Sequence, residues 1–150
     1  GKYVLMLTQY DSVGGRPLSW AHLGSNGIGN MRPGITKICP HGGRYFDRIL
    51  RVEDSCFALC PPRPLIKPNF VFVLELFQLA SRTNPFDKIE AYTVVPMTYE
   101  SMSIIEGKIK LPLIRGEPSP AVQSFKTMER LMAKDLHNWL CNIYIEVRHM

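Results

Sequence analysis

The stretch NFVFVLELFQLA, Asn69–Ala80, constrains the fold more than any other. Its apolar residues are nearly continuous from Phe70 to Phe77, broken only by Glu75, and it is rich in Val and Phe. It is far shorter than the ~18 residues of a membrane-spanning helix. A short apolar run bounded by turn residues fits a strand covered on both faces. It therefore predicts a strand at the centre of a sheet, and the rest of the chain must supply two covering layers.

Other segments read as partners for that strand. KYVLMLTQY (Lys2–Tyr10) is a first strand, and DSVGG (Asp11–Gly15) a turn. Short strands are expected at Ser19–Leu23, Ile35–Cys39 and Ser55–Cys60, with a Gly-rich loop over Gly24–Gly34 and a turn at Pro40–Gly43. Arg44–Val52 has apolar spacing that suits a helical turn. After the loop Ser81–Asp87, KIEAYTVVPM (Lys88–Met97) alternates, with Ile89, Ala91, Thr93 and Val95 on one face. KIKLPLI (Lys108–Ile114) sets Lys108 and Lys110 against Ile109 and Leu111, and Pro112 places its second half at an edge or bulge. Ser119 and Pro120 resemble an N-cap and first helical residue; Val122, Phe125, Met128, Leu131 and Met132 follow at helical spacing up to about Lys134. NWLCNIYIEV (Asn138–Val147) is a last strand, with Trp139, Cys141, Ile143, Ile145 and Val147 alternating against Asn142, Tyr144 and Glu146.

Seven or so short strands with one late helix predict an all-β, antiparallel β-sandwich forming a single domain over residues 1–150. A chain of 150 residues can bury enough surface to need no disulfide or metal staple. The first residue is not Met and no basic-plus-apolar leader follows it, so the chain reads as a fragment of a larger protein. Cys39, Cys56, Cys60 and Cys141 form no dense framework, which points to a reducing compartment.

The order CFALCPPRP, FVFVLELFQLA, AYTVVPM, GKIKLPLIRG and NWLCNIYIEV resembles the later strands of C2 domains, over about Ser55 to Val147. Many members of that family bind Ca²⁺ through clustered loop aspartates, because a hard cation needs several converging oxygens. The matching loop here, SRTNPFD, holds Asp87 alone, and Gly24–Gly34 holds no acid. The resemblance therefore points to the calcium-independent members, which act as docking, scaffold or lipid-binding modules and occur in ciliary proteins. It implies a cytoplasmic location, in a cilium or the cytoskeleton, and a protein partner in a larger assembly.

The formal net charge of +5 suits an acidic partner. Lys108, Lys110, Arg115, Arg44, Arg48 and Arg51 are the candidate basic face, for an acidic protein or an anionic membrane surface; nucleic acid is not an expected partner. Cys39, His41, Cys56 and Cys60 carry ligand chemistry for zinc, but their C-x-H and C-x₃-C spacings match no common finger. The expected protein is thus a non-catalytic docking or scaffold module without a cofactor. Anionic-lipid binding is the first alternative and a small zinc-dependent protein the second. No nucleophile elbow, phosphate loop or dinucleotide fingerprint argues for an enzyme.

Overall fold

In the computed structural model, residues 1–18, 34–44, 48–56, 60–119 and 125–149 are described. The expected strand Ser19–Leu23, most of the Gly-rich loop, and the expected start of the helix lie outside them.

The chain is all-β. Among the described residues, seven antiparallel strands belong to one hydrogen-bonded sheet, and one α-helix precedes the last strand. The strands are β1 (Lys2–Tyr10), β2 (Gly34–Ile35), β3 (Cys39–Pro40), β4 (Val71–Gln78), β5 (Lys88–Pro96), β6 (Gly107–Arg115) and β7 (Trp139–Val147); the helix is α1 (Phe125–Lys134). The order is β2-β1-β4-β5-β6-β7, with β3 also pairing β1. The apolar run is the inner strand β4, paired along its length with β1 on one side and β5 on the other.

Both faces of β4 are covered. Val71 and Val73 join Tyr92, Val94, Ile114 and the wholly buried Met128 of α1 in one cluster. The helical stripe that carries Met128, Leu131 and Met132 thus seals one face of the sheet. On the other face, Leu76 packs with Leu5, Ala91 and Leu113, and Leu74 packs with Val95, Ile105 and Leu111. Cys141, Ile143, Ile145 and Val147 of β7 flank these clusters.

The sheet opens between β5 and β6. Those strands pair only at Ala91↔Arg115 and Tyr92↔Ile114, whereas β6 and β7 pair throughout. The result is sandwich-like: a β1–β4–β5 layer and a β6–β7 hairpin share inner apolar clusters. Pro112 falls where β6 has no β5 partner, so on that side its missing N–H breaks no ladder. Gly107 and Gly116, at φ 103° and 95°, bracket this strand with backbone turns that a side chain would strain.

Four local expectations are revised. Ile35–Cys39 is not one strand; two two-residue pairings, β2 and β3, flank Thr36–Ile38, where the Thr36 hydroxyl accepts from the Leu5 N–H at 2.9 Å. In Arg44–Val52 the described residues are not helical; Leu50 and Val52 reach the same cluster at a spacing of two, the period of extended chain. In Ser55–Cys60 the described residues form no strand. Finally, Trp139 does not share a face with Cys141. A register shift pairs Leu113 with Cys141 but Ile114 with Trp139, which carries Trp139 to the helix side.

Candidate docking surface

Alternation in β6 is the starting point. Ile109 is half-buried and Leu111 is 5% exposed, while Lys108 and Lys110, which alternate with them, are exposed. The register sets Lys110 opposite Tyr144 and Lys108 opposite Glu146. Paired residues of an antiparallel ladder project on the same face, so the outer face of the hairpin carries Lys108, Lys110, Tyr144 and Glu146 together. Tyr144 is 73% exposed. Arg148 donates to Glu146 through Nε and Nη2 at 3.1 and 3.0 Å. That bidentate contact, with Lys108 nearby, holds the Glu146 carboxyl below its ordinary range. Glu146 is therefore already engaged by cations, and the two lysines dominate the face.

This face runs into a hollow of about 380 Å³ lined by Glu129, Met132, Ala133, Leu136, Trp139 and Asn142. Leu136 and Trp139 are exposed apolar side chains at its rim. Asp135 shapes the approach: its Oδ1 accepts from the His137 N–H at 2.9 Å and caps a short 3₁₀ turn, Leu136–Asn138.

The remaining basic candidates lie elsewhere. Arg115 is exposed, seven residues from Lys108 and thus roughly 23 Å along the strand. Arg44, Arg48 and Arg51 are exposed on the segment whose Leu50 and Val52 pack near Leu5, Ala91 and Leu113, toward the Arg115 end of β6. Lys108 and Lys110 thus share a face, and Arg115 stands apart from them.

The loop Ser81–Asp87 shows what its single carboxylate does. Asp87 Oδ1 accepts from the Ala80 N–H at 2.7 Å and closes the loop. Next to it Phe86 is 75% exposed. The zinc candidates are dispersed in role. Cys39 is buried, with its Sγ donating to the Lys37 carbonyl at 3.4 Å, and His41 Nδ1 accepts from the Gly43 N–H at 3.2 Å. Burial and the neighbouring Asp54 push the Cys56 thiol up, and Cys60 is exposed. Among the described residues no group of three His, Cys, Asp or Glu side chains is placed to hold a metal ion. No described helix is long and apolar enough to cross a membrane.

Sequence reasoning did not single out the carboxylate of Glu75. It sits in the middle of β4, directly opposite Tyr92, and is almost fully buried. Burial, and secondarily Glu117, raise its pKa. The interruption of an apolar run by one acid was the available signal. Comparison with protein-family models and with curated proteins returned no match.

Proposed function

We propose that this chain is a non-catalytic docking module that binds an acidic protein partner within a larger cytoplasmic assembly, such as a ciliary or cytoskeletal scaffold. The observation that supports it is the outer face of β6–β7. Lys108 and Lys110 project into solvent beside the exposed ring of Tyr144, while Ile109 and Leu111 on the same strand hold the core. The face is free to recognise a partner because its residues are not needed for packing. An aromatic ring beside a pair of lysines offers an acidic segment both charge and contact area. No Ca²⁺ enters this reading, since Asp87 serves its own loop.

Fluorescence anisotropy with labelled polyglutamate tests the reading. Binding should weaken as salt rises, because exposed charges are screened over ~8–10 Å at 0.1–0.15 M salt. Lys110→Glu should weaken it further and flatten the salt dependence. Binding that is indifferent to Lys110→Glu would remove the reading.

A second reading, attachment to an anionic membrane, is favoured by one observation: Phe86 stands exposed in the β4–β5 loop, with Arg82 in the same loop. An exposed aromatic in a loop that also carries a cation can enter the headgroup region. Sedimentation with phosphatidylserine vesicles, compared between wild type and Phe86→Ala, separates this reading from the first.

A further inference from the structure

The two margins of the sheet are treated differently. On one side, β1 is flanked by the two-residue strands β2 and β3, so its ladder is largely closed. On the other side, β7 has β6 on one flank and no described strand on the other. Edge strands are normally shortened, bulged, or interrupted by Lys or Pro to prevent pairing with another chain. β7 has nine residues, contains neither Lys nor Pro, and carries Glu146 as its one charge. From Cys141 to Val147 its register with β6 is unbroken. The one irregularity lies before that stretch, at the Leu113/Ile114 shift.

Pro112 sets the phase of the ladder. It has no N–H, so the phase that loses no bond makes Pro112–Asn142 a non-hydrogen-bonded pair. Alternation then gives the same character to Lys110–Tyr144 and Lys108–Glu146. Asn142, Tyr144 and Glu146 accordingly direct their N–H and C=O groups away from β6.

We propose that the edge of β7 that no described strand pairs receives an extended acidic segment of a partner protein as an added strand. This rests on the docking reading and specifies its geometry. The main chain of the segment takes up the outward groups of Asn142, Tyr144 and Glu146. Its outer-face acids lie two strands from Lys108 and Lys110, about 10 Å between backbones, within reach of a lysine side chain. An apolar side chain near one end of the segment enters the hollow beside Trp139 and Met132. Charge selects the partner: a basic segment would meet the two lysines, and a second β7 would bring another lysine pair to the same face.

The test uses ten-residue peptides alternating Val and Glu, the same peptide N-methylated at every second residue, and a Val/Lys counterpart. Binding is followed through the backbone amide shifts of the isotopically labelled chain. The Val/Glu peptide should shift Asn142, Tyr144 and Glu146. N-methylation keeps every charge but deletes one edge of ladder donors, so it should weaken binding by roughly tenfold or more. The Val/Lys peptide should not bind. If the N-methylated peptide binds as well as its parent, strand addition is wrong while docking through the lysine face survives. If the Val/Lys peptide binds equally, the acidic partner is wrong and both readings fall. Shifts confined to the Arg44–Arg51 segment, or absence of any shift, overturn the edge site. So does a concentration-dependent dimer in sedimentation velocity that is closed through β7.

Discussion

Leu111 and Lys110 are adjacent on β6 and differ in exposure, so substituting each in turn tests the placement of the whole hairpin. Leu111→Ala removes three carbons from a side chain enclosed by Leu74, Val95 and Ile105. At about 0.8 kcal/mol per buried carbon the transfer loss alone is roughly 2–2.5 kcal/mol. A cavity adds to it where neighbours cannot collapse. Here Leu74 and Val95 are held in the paired strands β4 and β5, which limits collapse, so about 3–4 kcal/mol is expected, within the ~2–5 kcal/mol range for such changes. For a chain of this length that is a fall in Tm of about 6–16 °C. Lys110→Glu places a new carboxylate opposite Tyr144, in solvent, and should change stability by less than about 0.5 kcal/mol, or ~2 °C. Calorimetric melts of the two variants and wild type decide the matter. A Lys110→Glu protein that melts as low as Leu111→Ala, or a Leu111→Ala protein that melts like wild type, would mean that the hairpin faces the other way.

Lys108→Glu should cost more than Lys110→Glu, about 0.2–1 kcal/mol, because it sets like charges directly opposite each other at Glu146; chemical denaturation reads the difference. Glu75→Gln should raise Tm at pH 7. With its folded pKa raised, Glu75 contributes most below its unfolded value near 4.5 and loses that contribution as pH rises, so the gain should vanish near pH 4 in a pH series of melts. Met128→Ala should cost about 2–5 kcal/mol and free the helix, seen as loss of amide protection over Phe125–Lys134. In native protein, iodoacetamide should label Cys60 before Cys39, since the first is exposed and the second is 7% exposed; peptide mass mapping gives the order.

The elements most legible in the sequence were those whose periodicity records a lasting environment. β1, β4, β5 and β7 fall where alternation or a continuous apolar run places them, within two residues at each end. Arg44–Val52 misled for a physical reason. Its apolar residues at Tyr45, Phe46, Ile49 and Leu50 mimic a helical stripe, but Leu50 and Val52 reach the core as extended chain. The cluster that receives them is built by β1, β4, β5 and β6, and nothing local encodes that choice. The short turn Arg63–Leu65, with Pro64 inside it, was hidden because a Pro-rich stretch reads first as an end to structure.

The candidate surface was legible only in part, and the register shift explains the limit. In an uninterrupted strand, residues 139, 141 and 143 would share the inner face. The shift at Leu113/Ile114 reverses the phase, so Cys141 and Ile143 stay inside while Trp139 turns toward α1 beside Met132. The extra residue lies on β7, so alternation along β6 is unbroken and sets Arg115 on the face opposite Lys108 and Lys110. One inserted residue thus creates the apolar hollow at one end of β7 and leaves the lysines on the outer face toward the other. A partner strand reading that edge meets an apolar contact first and positive charge some four residues later, about 13 Å along the chain. The order of those two features, more than either alone, is what would let this hairpin discriminate one acidic segment from another.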